Sequence, residues 1–119
     1  MIASDTWAIA APMLERALEH QDTHDLADVK QALDDGAAQL WCGWKSCVVT
    51  EIVEYPKYKA CRIWLAAGDR SELTERMLCD IEAWAKGGSC CKIEIVGRRG
   101  WLRVLTDFHQ PHTVLEKAL

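Results

Sequence analysis

The sequence predicts an α+β domain with one β–α–β crossover, and three observations carry that expectation. Apolar residues recur at helical spacing through the first third of the chain. From Ala37 the character changes to short β-branched and aromatic runs joined by tight turns. One long amphipathic segment, Ser71–Lys86, then leads within a few residues into a run of period two. A helix that close to its following strand reads as a crossover, with that strand parallel to the one before the helix.

Each element has its own justification. Trp7, Ala10, Ala11, Leu14, Ala17 and Leu18 make the first helical stripe, with Pro12 marking a first turn or a kink. Asp22–His24 interrupts the pattern and supplies capping side chains, and Leu26, Val29 and Leu33 form a second stripe that Gly36 ends. Gln39–Cys42, Cys47–Val53 and Ala60–Ala66 read as three strands of an antiparallel meander, with Tyr55–Lys59 as a hairpin connection. Asp69 and Glu72 match a capping box at the start of the long helix. Leu73, Met77, Leu78, Ile81, Trp84 and Ala85 form its apolar face, and Gly87–Gly88 stops it. Cys91–Val96 is the crossover strand, Gly97–Leu105 a short helix after a turn, and His112–Lys117 a last strand.

Composition narrows the function classes. At 119 residues the chain has the length of one domain. No uncharged run approaches the ~20 residues of a bilayer span. A basic leader followed by an apolar core is not evident at the start, so the expected compartment is the cytoplasm. Fourteen basic residues against 18 acidic ones give a net charge of −4, the wrong sign for a general nucleic-acid binder. Six cysteines in a reducing compartment read as free thiols, with Cys47, Cys61, Cys79, Cys90 and Cys91 inside or beside apolar segments. Cys42 and Cys47, or the adjacent Cys90 and Cys91, lack the spacing of a zinc knuckle even with His109 and His112 nearby, so no metal is expected. A redox or zinc-dependent regulator built on Cys42, Cys47, Cys90 and Cys91 is the weakest alternative. Trp64, Trp84 and Trp101 are candidate core residues.

The element order resembles the acyl-CoA N-acyltransferase (GNAT) fold over nearly the whole chain, with the family's first strand absent or very short. The stretches Gln39–Trp41, Val48–Val53, Ile63–Gly68, Glu82–Ala85 and Gly97–Trp101 are similar to small GNAT-like proteins of tailed phages and prophages. The resemblance implies three requirements for acyl transfer. The first is a turn of backbone N–H groups at the start of the central helix to hold the CoA pyrophosphate. The family pattern there is Gln/Arg-x-x-Gly-x-Gly/Ala, whereas this chain has Ala67-Gly68-Asp69-Arg70-Ser71. Gly68, Asp69, Arg70 and Ser71 are therefore the candidate cofactor-binding residues, yet a carboxylate cap at Asp69 would occupy the N–H groups and repel an anion. Arg70 offsets part of that repulsion.

The second requirement is a general base, for which Glu94 and Glu51 are the candidates, with Glu54 a third by position. The third is an acid for the departing thiolate, usually a tyrosine on the short penultimate helix. That segment holds Trp101 instead, and Tyr55 and Tyr58 lie in the hairpin. The expectation is thus a phage- or prophage-encoded GNAT-like protein with a degenerate acyl-CoA loop, non-catalytic, needing no cofactor and acting by protein binding. Its partner would be a virion or host protein, met through Trp41, Trp44, Arg98, Arg99 and Arg103. The alternative is an acetyl-CoA-dependent N-acetyltransferase with an unconventional loop. An enzyme predicts an open cleft between the strands Ala60–Ala66 and Cys91–Val96, and a binding module predicts that cleft filled by side chains such as Trp64.

Overall fold

The computed structural model describes residues 2–119. Two helices come first, α1 (Ser4–Leu18) and α2 (Leu26–Asp34). Three strands follow, β1 (Ala38–Cys42), β2 (Ser46–Glu54) and β3 (Lys59–Gly68). The central helix α3 is continuous through Arg70–Glu72, a π-helical turn at Leu73–Met77, and Leu78–Gly87. Strand β4 (Lys92–Ile95) and a single helical turn α4 (Trp101–Val104) complete the order. The sheet runs β1-β2-β3-β4, with β1–β2 and β2–β3 antiparallel and β3–β4 parallel. The α+β class, the meander and the crossover are those the sequence predicts.

Two apolar layers sandwich the sheet. On one face Ala10, Leu14 and Leu18 of α1 and Val29 and Leu33 of α2 pack on Ala38, Cys47, Val49 and Leu65. On the other, Leu73, Met77, Ile81 and Ala85 of α3 cover Val48, Cys61 and Ile63. Those α3 residues repeat every four positions, a spacing that drifts by about 40° per step in a regular α-helix. The π turn widens the helix locally and keeps the stripe against the sheet. Trp84 falls off the stripe and is 40% exposed, so it is a partner at the rim rather than a core residue.

A bulge sets the geometry of β3. Val49 pairs with Leu65 and Thr50 with Ile63, leaving Trp64 without a partner on β2. An extra residue reverses the alternation beyond it. Cys61 and Ile63 therefore face α3, whereas Trp64 and Leu65 both turn toward α1 and α2.

Two expectations need correction. His112–Lys117 is not a strand: beyond α4 the described chain has no regular element and every residue from His109 onward is exposed. Pro12 lies on the exposed face well inside α1, which begins at Ser4, so it is not a first turn. The segment Gly97–Leu105 is the expected short helix after a turn, with Trp101–Val104 helical. Capping at α2 is a full box, with Asp25 accepting from the Asp28 N–H and Asp28 from the Asp25 N–H.

Candidate functional site

The start of α3 is the place where the fold could hold an anion, and the chain's own groups already surround it. Gly68 has φ +118, and a Cβ there would lie 2.2 Å from the Lys45 carbonyl oxygen and 2.5 Å from the Ser46 Cα. Only glycine admits that approach. It brings the buried Ser46 hydroxyl to the helix, where Ser46 Oγ accepts from the Asp69 N–H at 2.9 Å and donates to the Asp69 carbonyl at 3.3 Å. Asp69 Oδ1 in turn accepts from the Glu72 N–H at 2.9 Å, which is the predicted cap.

The second half of the predicted box does not form. Glu72 reaches across to the β1–β2 turn, its two oxygens accepting from the Trp44 N–H at 2.7 Å and the Lys45 N–H at 2.9 Å. The Lys45 N–H above all, then the Ser46 hydroxyl, hold the Glu72 carboxyl below the ordinary carboxylate range against a small opposing effect of burial. Two carboxylates thus stand where the resemblance puts a diphosphate. Gly68, Asp69, Arg70 and Ser71 are all at the junction as predicted, with Arg70 and Ser71 exposed.

The two candidate bases meet through a residue the sequence did not single out. Glu51, Arg62 and Glu94 lie abreast on neighbouring strands, as the register pairs Glu51 with Arg62 and Arg62 with Glu94. Arg62 bridges them, at 3.4 Å to Glu51 and 3.3 Å to Glu94. The Tyr55 hydroxyl, from the β2–β3 hairpin, lies 2.8 and 3.0 Å from the two Glu94 oxygens. That contact pushes the Tyr55 phenol up, and Arg62 opposes it. Glu94 is accordingly held by an arginine and a phenol. Alternation along β2 and β3 could have flagged Arg62, since it is the one cation between two strand glutamates. Glu54, exposed at the end of β2, joins no such cluster.

Between β3 and β4 the strands part beyond Ile63, since pairing stops at Ile63–Ile95 while β3 continues to Gly68. On the α3 side this gap encloses about 30 Å³ among Ile63, Ala66, Leu73, Ile95, Trp101 and Leu105. That is room for about one water. Trp101 and Leu105 are among its lining side chains. Trp64, expected there, packs on the opposite face with its ring edge against His24, the centroids 4.8 Å apart. A larger open groove of about 480 Å³ lies at the far end of α3, where Lys59 is the one charged side chain in its lining.

The aromatic patch proposed from sequence divides. Trp44 is 87% exposed at the β1–β2 turn. Trp41 is half-buried, donates from Nε1 to Thr50 Oγ1 at 3.0 Å and meets Trp84 edge-on at 5.5 Å. Arg98, Arg99 and Arg103 are exposed, with Arg98 and Arg99 in the turn before α4. Of the cysteines, Cys47 and Cys61 are buried and Cys42, Cys79 and Cys91 exposed, which corrects the apolar assignment of Cys79 and Cys91. Burial, then the neighbouring Cys42, pushes the Cys47 thiol up to about 12. Among the described residues no three His, Cys, Asp or Glu side chains converge as a metal site would need. In the same residues no helix is long and apolar enough to cross a membrane.

Known structures align with this arrangement along nearly its whole length. A ribosomal-protein-alanine N-acetyltransferase of Brucella melitensis biovar Abortus 2308 superposes with a TM-score of 0.72 at 11% identity, over 99% of this chain and 96% of that one. A predicted acetyltransferase of Clostridium acetobutylicum, solved with acetyl-CoA, gives 0.72 at 13% identity, over 98% and 92%. The chain has the GNAT fold. A transcriptional regulator of Bacillus halodurans C-125 matches equally, at 0.72 and 12% identity over 99% and 96%. No protein-family model and no curated protein matches the chain. At such identities the likeness is one of GNAT architecture, and function has to be argued from the site.

Proposed function

We propose that this GNAT-fold protein acts by binding another protein and does not transfer acyl groups. One observation carries the reading: at the start of α3 Asp69 takes up the Glu72 N–H, and Glu72 takes up the Trp44 and Lys45 N–H groups of the facing turn. A diphosphate placed there would meet two carboxylates and lose N–H groups that would help compensate its desolvation. The gap between β3 and β4, lined by Trp101 and with room for about one water, supports the same conclusion because a pantetheine arm needs more space.

The clamp that disfavours CoA also suits recognition. Glu72 fixes the backbone of Trp44 and Lys45, so the exposed indole is presented from a turn already ordered before contact. Preorganised aromatic anchors lose little entropy on association. Trp44 is the anchor in this reading, and Arg98, Arg99 and Arg103 a second contact for an acidic neighbour. A phage or prophage origin, with a virion or host protein as the partner in the host cytoplasm, follows from the sequence resemblance and fits so small a binding domain.

The test is calorimetric titration of acetyl-CoA and of free CoA into the reduced protein. No saturable heat is expected. Micromolar binding weakened by Arg70→Ala would overturn the reading in favour of an acetyl-CoA-dependent N-acetyltransferase with Glu94 or Glu51 as base.

A further inference from the structure

Two cysteines face one another across the first hairpin. The register pairs Cys42 of β1 directly with Cys47 of β2. The Gly43 N–H donates to the Ser46 carbonyl at 2.9 Å, so Gly43 and Ser46 form the hydrogen-bonded pair that closes the turn. By alternation Cys42 and Cys47 are the next pair, one without mutual hydrogen bonds. In such a pair the Cα atoms approach to about 4.5 Å and the side chains share a face, within the ~4.4–6.8 Å that a disulfide spans. Both residues are free thiols. The remaining cysteines are placed differently: Cys61 stands opposite Ile93, Cys79 is exposed on α3, and the N–H groups of Cys90 and Cys91 turn to different partners, Ala85 and Lys59.

The pair is asymmetric. Cys42 is exposed at the end of β1, whereas Cys47 is fully buried in the layer under α1 and α2. A small oxidant therefore reaches Cys42 and not Cys47, yet Cys47 lies beside any adduct that forms on Cys42. Burial raises both thiols, Cys47 to about 12, which makes exchange slow and suits the pair to sustained oxidation rather than to a brief pulse.

We propose that Cys42 and Cys47 are an oxidative modification site, at which Cys42 takes up a low-molecular-weight disulfide such as glutathione disulfide and Cys47 resolves the adduct into a cross-strand bridge. The Cys42 thiolate attacks one sulfur of glutathione disulfide, forming a mixed disulfide and releasing one glutathione. The Cys47 thiolate then attacks the Cys42 sulfur, and the second glutathione leaves. Two protein thiols lose two electrons, one glutathione disulfide gains them, and the two thiol protons end on the two released glutathiones. Excess glutathione drives the same steps backwards. The bridge encloses the turn that Glu72 already holds through the Trp44 and Lys45 N–H groups, so it adds a covalent latch to a polar one. This site rests on no part of the functional reading above.

The test is incubation of the reduced, folded full chain with excess glutathione disulfide, then alkylation of the remaining thiols and digestion with trypsin without reduction. Cleavage after Lys30, Lys45 and Lys57 leaves Cys42 as the one cysteine of peptide 31–45 and Cys47 as the one cysteine of peptide 46–57. The expected product is these two peptides joined, from a protein lighter by two hydrogens, and separated again by dithiothreitol. Cys47→Ala should stop at a glutathione adduct on Cys42, and Cys42→Ser should give no product at Cys47. Amide exchange at Trp44 and Lys45 should be slower in the bridged protein. A wild-type chain that keeps both thiols free, that stops at the glutathione adduct, or that bridges a different pair overturns the proposal. Exchange at Trp44 and Lys45 unchanged by the bridge overturns the latch.

Discussion

Replacing Gly68 with alanine tests the junction on which the functional reading rests. The new Cβ would lie 2.2 Å from the Lys45 carbonyl oxygen, 2.5 Å from the Ser46 Cα and 2.7 Å from Ser46 Oγ. Two of these atoms are backbone in a paired strand end, so rotation of a side chain cannot relieve the contact. A φ of +118 adds backbone strain of about 1–3 kcal/mol for a residue with a Cβ. Overpacking adds about 1–3 kcal/mol, for a total of about 2–6 kcal/mol. Over 119 residues the unfolding entropy makes each kcal/mol worth about 4 °C in Tm, so a fall of about 8–24 °C is expected. Urea unfolding followed by circular dichroism measures the loss, with an unchanged m-value as the sign that only stability moved. Gly36→Ala is the control, since its φ is +76 but nothing lies within 4 Å, and it should cost about 1–2 kcal/mol. If Gly68→Ala costs no more than Gly36→Ala, the close approach of β3 to the turn is not a real constraint.

Other perturbations report on neighbouring parts of the molecule. Gly43→Ala places a Cβ 2.6 Å from the Glu72 carboxyl carbon, the end of a flexible side chain, so it should barely alter stability while speeding amide exchange at Trp44 and Lys45; unchanged exchange would mean that Glu72 is not the clamp. Lowering pH should have the same effect only below the ordinary carboxylate range, because the folded-state shift of Glu72 is downward and its contribution is lost as pH falls through the lowered value. Native thiol titration should label Cys42, Cys79 and Cys91 quickly and leave Cys47 and Cys61 unlabelled until unfolding. Those buried thiols ionise at about 12 and about 11, so their contribution is intact below pH 9.0 and declines as pH rises through the folded values, a trend absent in the Cys47→Ala, Cys61→Ala double variant. Trp101→Ala should cost about 2–4 kcal/mol as a partly exposed relative of core truncations, without creating acetyl-CoA binding; acquired binding would identify the indole, and not the carboxylates, as the barrier.

What was legible in the sequence were features set by local pattern. The apolar period of α3, its aspartate cap and the strand alternation on both sides of it depend on residues a few positions apart. Features set by contacts across the fold were not legible. Glu72 carries the signature of a capping box, yet its carboxylate bonds a turn 27 and 28 residues away, because Gly68 brings that turn to the helix. The bulge at Trp64 reverses which face Leu65 occupies, so period two beyond Ile63 misplaces Leu65. Arg62 meets Glu51 through the antiparallel register of β2 and β3, but reaches Glu94 only through the parallel register of β3 and β4, which helix length and crossover set together. His112–Lys117 has strand composition without a strand's neighbour, and composition alone cannot create a ladder.

The start of a helix can stabilise an outside anion or an inside one, and the same N–H groups cannot serve both. In this chain Asp69 and Glu72 are inside anions, and each is tied to a constraint elsewhere. Asp69 is set by the serine that only a glycine at 68 lets approach, and Glu72 by two amides of a turn that also carries Trp44. Removing the Asp69 carboxylate would uncover the Glu72 N–H of the helix, and removing the Glu72 carboxylate would loosen the turn that presents Trp44. Cofactor binding and ordered display of Trp44 are opposed at this junction. A variant that gained affinity for an anionic ligand at α3 should lose affinity for a protein partner met through Trp44, and in that opposition the two functional readings can be told apart on one molecule.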